Sequence, residues 1–241
     1  MEVSLIAKCL REIEDQFYVK IVDDMALLTK VYELRYQVYC TERGFEKGTQ
    51  QPGQAGMESD DFDVRSRHIA LIDRHTSQPV GTARMVQSVP ANACSSFPMQ
   101  TVCNPSLFEK FPLDTTVEIS RFAISKQRRS ATSAALLRMG LIRGLVRLSA
   151  ELGVTHWCAV MEPTLLRLLG MTAIYFEPLG PAVEYHGLRQ PCFSRLDRLL
   201  ERVNQGRPEI WNYLTEGGEI WPKHAKPLFQ QEFDRHQQFA F

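Results

Sequence analysis

The stretch Val117 to Ile124, VEISRFAI, constrains the fold of this chain more than any other. It is strand-like and apolar, yet it holds an acid, a hydroxyl and an arginine. Strand alternation puts Val117, Ile119, Arg121 and Ala123 on one face and Glu118, Ser120, Phe122 and Ile124 on the other. A half-exposed edge strand explains Glu118 and Ser120 as a wet face but leaves Arg121 among apolar neighbours. An unpaired interior charge costs on the order of several kcal/mol, so a guanidinium there needs a carboxylate and further acceptors. Other parts of the chain have to supply them.

Two segments carry further arginines in apolar surroundings. MALLTKVYELRYQVYCTER reads as a helix, with Asp23 and Asp24 as candidate caps and Gly44 as its stop. Leu28, Tyr32, Arg35 and Tyr39 share one face of it, which sets Arg35 beside aromatic rings. RHIALID and PVGTARMVQ, joined by a turn-like RHTSQ, read as a hairpin whose second strand holds Arg84. Between helix and hairpin lies GFEKGTQQPGQAGMESDDFD, a long loop rich in Gly, Gln and acid. Arg35, Arg84 and Arg121 can thus be balanced by Glu58, Asp60, Asp63 and Glu118. A buried network of this kind costs desolvation and tends to persist where it shapes a site. Plain solvation of the acidic loop is the competing explanation.

The remaining segments describe one α/β domain over residues 1–241 with a mixed sheet. FYVKIV and VTHWCAV are strand candidates, and SATSAALLRMGLIRGLVRLSAELG is a sustained helical pattern ending at glycine. EPTLLRLLG is a short helix with Pro163 in its first turn and Gly170 just past its end. A helix around SRLDRLLERV and a polar, aromatic-tipped tail form a C-terminal extension beyond a core of roughly residues 18–195. Neither an internal repeat nor a linker-like break in composition is present.

Composition excludes several functions. Acidic and basic residues balance at 28 each and no basic block occurs, which argues against a nucleic-acid partner. The six cysteines are scattered, without a CxxC pair or clustered histidines, so no metal site is expected and reduced thiols in a cytoplasm fit best. Arg138, Arg143 and Arg147 interrupt the longest apolar region, which is therefore a poor membrane span. The acids in MEVSLIAKCLREIEDQ are wrong for a secretory signal. Peripheral association with a membrane surface is left open.

LRYQVYCTERGFE, ESDDFD, VGTAR and EISRF resemble, in order and spacing, the successive motifs of acyl-homoserine-lactone autoinducer synthases and the related N-acyl amino acid synthases. Together with THWCAVMEPTLLRLLG, YFEPLGPAVEYHG and RQPCF, they resemble more closely the acyltransferases associated with PEP-CTERM/exosortase systems. The resemblance implies a GNAT-like fold, a central mixed sheet splayed between two strands, flanked by helices, with an acyl thioester in the V-shaped gap. By position it assigns Arg35, Asp60, Asp63, Arg84 and Arg121 to a charged cluster that orders the N-terminal region over the site. Tyr39 and Phe45 fall where the autoinducer synthases carry aromatic residues, a phenylalanine and a tryptophan respectively, and Phe122 follows Arg121 in EISRF. Glu118 falls at the acid proposed as general base.

That role agrees with the chemistry. An amine attacks a thioester only when neutral, which a nearby carboxylate achieves directly or through water, and the oxyanion that develops needs donors. Ser120, on the face of Glu118, is placed to orient such a water or hold substrate. GNAT enzymes hold a cofactor pyrophosphate on a glycine-rich turn at a helix N-terminus. Here that turn reads QRRSAT, with Ser130 and Thr132 where glycine would allow close approach. The expected donor is therefore an acyl carrier protein more readily than coenzyme A, with Lys126, Arg128 and Arg129 complementary to an acidic carrier and no permanently bound cofactor. The expected reaction is direct transfer of a fatty acyl group to the amine of an amino acid or similar small molecule. The alternatives are an acetyl-CoA-dependent N-acetyltransferase and a non-catalytic acyl-binding module. Cys158 with His156 suggests a thiol nucleophile only weakly, since cysteine commonly fills core. Leu165, Leu166, Leu168 and Leu169 are candidates for lining an acyl channel.

Overall fold

A computed structural model describes residues 5–48, 55–89, 95–127 and 134–221. Its elements are α1 (Leu5–Gln16), β1 (Phe17–Ile21), α2 (Met25–Tyr36), β2 (Ser66–Asp73), β3 (Pro79–Gln87), β4 (Thr116–Ile124), α3 (Ala134–Leu152), β5 (His156–Met161), α4 (Pro163–Met171), β6 (Glu177–Pro178), β7 (Val183–Glu184), β8 (Leu188–Arg195), α5 (Leu196–Gly206) and α6 (Pro208–Leu214). The sheet order is β1-β2-β3-β4-β5-β8-β6, with β7 also paired to β8. Every pairing is antiparallel except β4 with β5. This is the mixed sheet expected from the sequence.

Alternation along β2 sets the two layers. Ile69 and Leu71 face the main core, whereas Ala70 and Ile72 pack under Val31 of α2. Asp24 caps α2, its side chain accepting from the Leu27 amide at 2.7 Å, as its place before the apolar run suggests. The helix continues as a π-helical segment, Gln37–Glu42, and stops before Gly44 at φ 64°.

On the opposite face α3 crosses the sheet, with Leu137, Leu141, Leu145 and Leu148 in the main core. Two glycines one turn apart let it approach closely. A Cβ on Gly140 would lie 2.9 Å from Leu71 Cδ1, and one on Gly144 would lie 2.5 Å from Val19 Cγ1 and 2.8 Å from Ile69 Cδ1. Gly144→Val therefore forces the helix off β1 and β2. The expected loss is about 1–3 kcal/mol, from overpacking, read as a lower urea midpoint at unchanged slope.

Three features depart from the sequence reading. Residues Leu5–Gln16 form a helix that places Leu10 and Ile13 in the core. Leu199 and Leu200 of α5 and Ile210, Trp211 and Leu214 of α6 join the same cluster, so these helices are part of the core layer rather than an appendage. Gly170 lies inside α4, which runs to Met171 because the Thr172 amide still bonds the Leu169 carbonyl at 2.9 Å.

Candidate active site

The site begins with a fault in β4. Thr82 of β3 faces Ala123 and Arg84 faces Ser120, so Ala83 alone opposes both Arg121 and Phe122. The extra residue makes a β-bulge, and Arg121 takes φ 48°, in the left-handed region that residues with a Cβ seldom adopt. Alternation restarts beyond it. Val117 and Ile119 face the main core and Phe122 and Ile124 pack on it, while Ala123 joins Leu34 and Val38 beneath α2. Arg121 thereby turns to the side of Ser120. This corrects the expected grouping of Arg121 with Val117, Ile119 and Ala123: the bulge removes the guanidinium from the apolar face.

On the α2 side three arginines meet four acids. Arg35, fully buried, donates from Nε to Glu58 at 2.6 Å and makes a two-pronged contact with Asp63 at 2.7 and 3.0 Å. Arg84, also fully buried, donates to Asp60 at 2.5 Å, Asp63 at 3.0 Å and Ser120 Oγ at 3.1 Å. Arg121 Nε meets both oxygens of Glu58, at 3.1 and 3.2 Å, and its Nη2 reaches Asp60 at 3.1 Å and Glu46 at 3.4 Å. Asp63 in turn accepts from the Asp60 amide at 2.7 Å, fixing the 3₁₀ turn Asp61–Arg65. The cluster therefore ties a loop to α2, β3 and β4. Burial alone would raise the pKa values of Glu58 and Asp63, but Arg35, with Arg121 for Glu58 and Arg84 for Asp63, holds both below the usual carboxylate range. His68 lies beside the cluster, Nε2 at 3.5 Å from Asp63. Burial and the Arg35 charge lower its pKa to about 4, so it is neutral.

The parted strands form the second half of the site. β4 and β5 pair only from Thr116 with His156 to Glu118 with Cys158. Beyond Glu118 they separate, and a pocket of about 470 Å³ occupies the gap, within the usual range for ligand sites. Its apolar part includes Ile142 and Leu145 of α3 and Leu165, Leu168 and Leu169 of α4. Of the four leucines named from the sequence as channel candidates, Leu166 departs: it packs on the main core without lining the pocket. Tyr39, Phe45, Ser120, Arg121 and Phe122 line the same pocket. Arg121 lies 5.4 Å from the Tyr39 ring centroid, and Phe45 stacks on His186 at 5.0 Å.

Glu118 stands where the strands part. It is 3% exposed, lines the pocket, and accepts the Met99 amide at 2.8 Å. Burial raises its pKa to about 7 despite that hydrogen bond and the Arg84 and Arg121 charges. A carboxyl so poised takes a proton near neutrality. Ser120 presents its oxygen to Arg84 and so links the strand of Glu118 to the ionic cluster. Cys158 packs with Phe97, Met99 and Phe108, and burial raises its thiol pKa well above the ordinary value, which makes it a poor nucleophile.

Lys126 is exposed, and its amide contacts Glu42. Arg128 and Arg129, like Ser130 and Thr132, lie outside the described residues. No group of three or more His, Cys, Asp or Glu able to hold a metal occurs among the described residues. Sequence reasoning missed the Met99 amide, which leaves no mark because any residue there offers the same N–H. It also left the EYHGLR segment unassigned, although its density of aromatic and basic residues was a usable signal.

A mixed sheet parted between two parallel strands, with a carboxylate at the fork and a pocket in the gap, is the GNAT-like fold. The acetyltransferase (GNAT) domain model matches residues 34–139. The chain is similar in structure to BjaI, a CoA-dependent acyl-homoserine lactone synthase, determined with MTA, at TM-score 0.60 and 19% identity over 85% of this chain and 89% of that one. It is also similar to the AHL synthase LasI, at 0.57 and 18% over 73% and 88%. FeeM, an N-acyl amino acid synthase from uncultured soil microbes, aligns at 0.56 and 10% over 78% and 94%. No curated protein matches the sequence significantly.

Proposed function

We propose that this protein is an N-acyltransferase that moves a fatty acyl group from a carrier-protein thioester to the amine of an amino acid or similar small molecule. The observation that carries the reading is Glu118, a buried carboxyl with its pKa raised to about 7, at the fork of an apolar pocket that opens through the sheet. The acyl chain lies among the leucines of α4, and the thioester carbonyl sits between the parted strands. Glu118 takes a proton from the amine, directly or through water. The nitrogen adds to the carbonyl carbon, the C–S bond breaks, and the thiolate leaves and recovers a proton. Backbone N–H groups of β4 and β5 beyond Glu118 and Cys158, where the ladder between them stops, are the donors for the oxyanion.

Support for a long acyl donor comes from the apolar depth of the pocket, which an acetyl group would leave unfilled. A carrier protein is favoured by the sequence QRRSAT, which lacks the glycines of a pyrophosphate-binding turn, and by the basic run from Lys126. The five described cysteines are free, in keeping with a cytoplasmic reaction. The order of motifs supports the narrower assignment to the acyltransferases of PEP-CTERM/exosortase systems.

The test incubates the purified protein with lauroyl carrier protein, lauroyl-CoA and acetyl-CoA against a panel of amino acids, and follows thioester loss and amide formation by mass spectrometry. Consumption of the lauroyl carrier protein ahead of the other two is expected. Absence of amide product from every donor and amine pair removes the reading.

A further inference from the structure

The mouth of the pocket holds charges that acyl transfer does not use. Arg43, just after the π-helical segment, pairs with Glu162 at the start of α4 at 2.9 Å, and Arg189 of β8 pairs with the same Glu162 oxygen at 3.3 Å. Two guanidiniums thus share one carboxylate and leave an excess of positive charge. Both lie near the Phe45 ring, 5.5 and 5.9 Å from its centroid, while His186 stacks on that ring. All of these residues line the pocket that Glu118 lines.

The two arginines have different tasks. Arg189 is 13% exposed and spends its donors on the His186 carbonyl at 2.6 Å and the Leu188 carbonyl at 3.2 Å, so it fixes the turn between β7 and β8. Arg43 is 40% exposed, and its hydrogen-bond partner among the described residues is Glu162 alone. A guanidinium carries five N–H donors in a planar fork suited to carboxylates and phosphates. Glu162 occupies one arm of that fork, and its pKa, which burial would raise, is lowered by Arg43 and then Arg189, so it stays ionised and keeps Arg43 aimed across the mouth.

We infer that Arg43, steadied by Glu162 and backed by Phe45, is a specificity subsite for an oxyanion group, and that the group is the carboxylate of the amine acceptor. The inference rests on the acyl-transfer reading for the acceptor's identity. It assigns that acceptor to α-amino acids or other amines with a nearby carboxylate. An amine paired with a hydroxyl or a second cation does not fit.

The closing experiment measures binding, so it does not depend on turnover. Calorimetry compares N-lauroylglycine with N-lauroylglycinamide, and lauroyl-phosphopantetheine with lauroyl-pantetheine, on the full chain and on Arg43→Gln. The acid is expected to bind the unaltered protein about tenfold more tightly than the amide, as a charge-assisted contact at a partly exposed site warrants. Arg43→Gln is expected to remove that preference and leave amide binding unchanged. A preference that survives Arg43→Gln, or a variant that weakens acid and amide alike, overturns the assignment. So does a variant effect confined to the phosphate-bearing donor, which would make the oxyanion a donor phosphate. Should the proposed transfer prove absent, the acid-over-amide preference still reports on the subsite.

Discussion

Glu118→Gln is expected to lower the rate of amide formation by about 10²–10⁴-fold, the usual contribution of a positioned base, while leaving the fold intact. Glutamine keeps an oxygen to accept the Met99 amide, now 2.8 Å from Glu118, and removes only the ability to take a proton. In the unaltered protein the base must be ionised, so kcat/KM is expected to fall as pH drops below about 7, the value to which burial raises this group. The variant's residual rate should lack that inflection. Stability carries a second signature of opposite sense. Because the folded-state pKa is raised, the native protein binds more protons than the unfolded chain between the ordinary carboxylate range and about 7. Stability from this group is therefore present at low pH and lost as pH rises through that window. Urea unfolding at pH 5 and pH 8 should show Glu118→Gln gaining on the unaltered protein at the higher value. An unchanged rate in a folded variant would exclude Glu118 as the base. A lost rate with no change in the pH dependence of stability would mean that the carboxyl is ionised without strain, and its poise near neutrality would have to be given up.

The sequence announced the members of the site but not their arrangement. The run EISRF marked an arginine that needed acids, and the acids of ESDDFD are the ones that meet it. Charge balance in apolar segments is a strong signal because few other solutions satisfy it. Strict alternation sets Arg121 on the wrong face, since it cannot foresee a residue at φ 48° that resets the phase. A bulge depends on register against β3, which no local pattern in β4 encodes. Strands and helices with clear periods were legible, including α3 and the hairpin of β2 and β3. Helix α1 carries the three-and-four spacing of Ile6, Leu10 and Ile13, a helical signal that the acids in the same segment obscure when it is compared with a targeting sequence. The parting of β4 from β5 after Glu118 was visible only by resemblance. It arises from where two strands cease to pair, a long-range property.

Replacing Arg35 separates the cluster's structural work from the chemistry of Glu118. Arg35→Met leaves Glu58 with Arg121 and Asp63 with Arg84, but takes from each its shortest guanidinium contact, at 2.6 and 2.7 Å. Removing one partner of a buried ionic group costs about 3–5 kcal/mol, and that loss is expected in urea unfolding at pH 7. Arg35→Lys should lie between, since an ammonium restores the charge but cannot span Glu58 and the two oxygens of Asp63 together. Both carboxylates have depressed pKa values, so their stabilisation is present above the ordinary carboxylate range and lost as pH falls through the depressed ones. Arg35→Met should therefore lose less than the unaltered protein on acidification. Arg35→Met/Asp63→Asn, which also reduces the stranded charge, should recover part of the cost. The rate is expected to fall with stability, because Glu58 also holds Arg121 on the strand that carries Glu118, whereas Glu118→Gln dissociates rate from stability. Stability within about 1 kcal/mol of the unaltered protein, the range of a surface ion pair, would show that the loop carrying Glu58 and Asp63 is held by something other than this arginine.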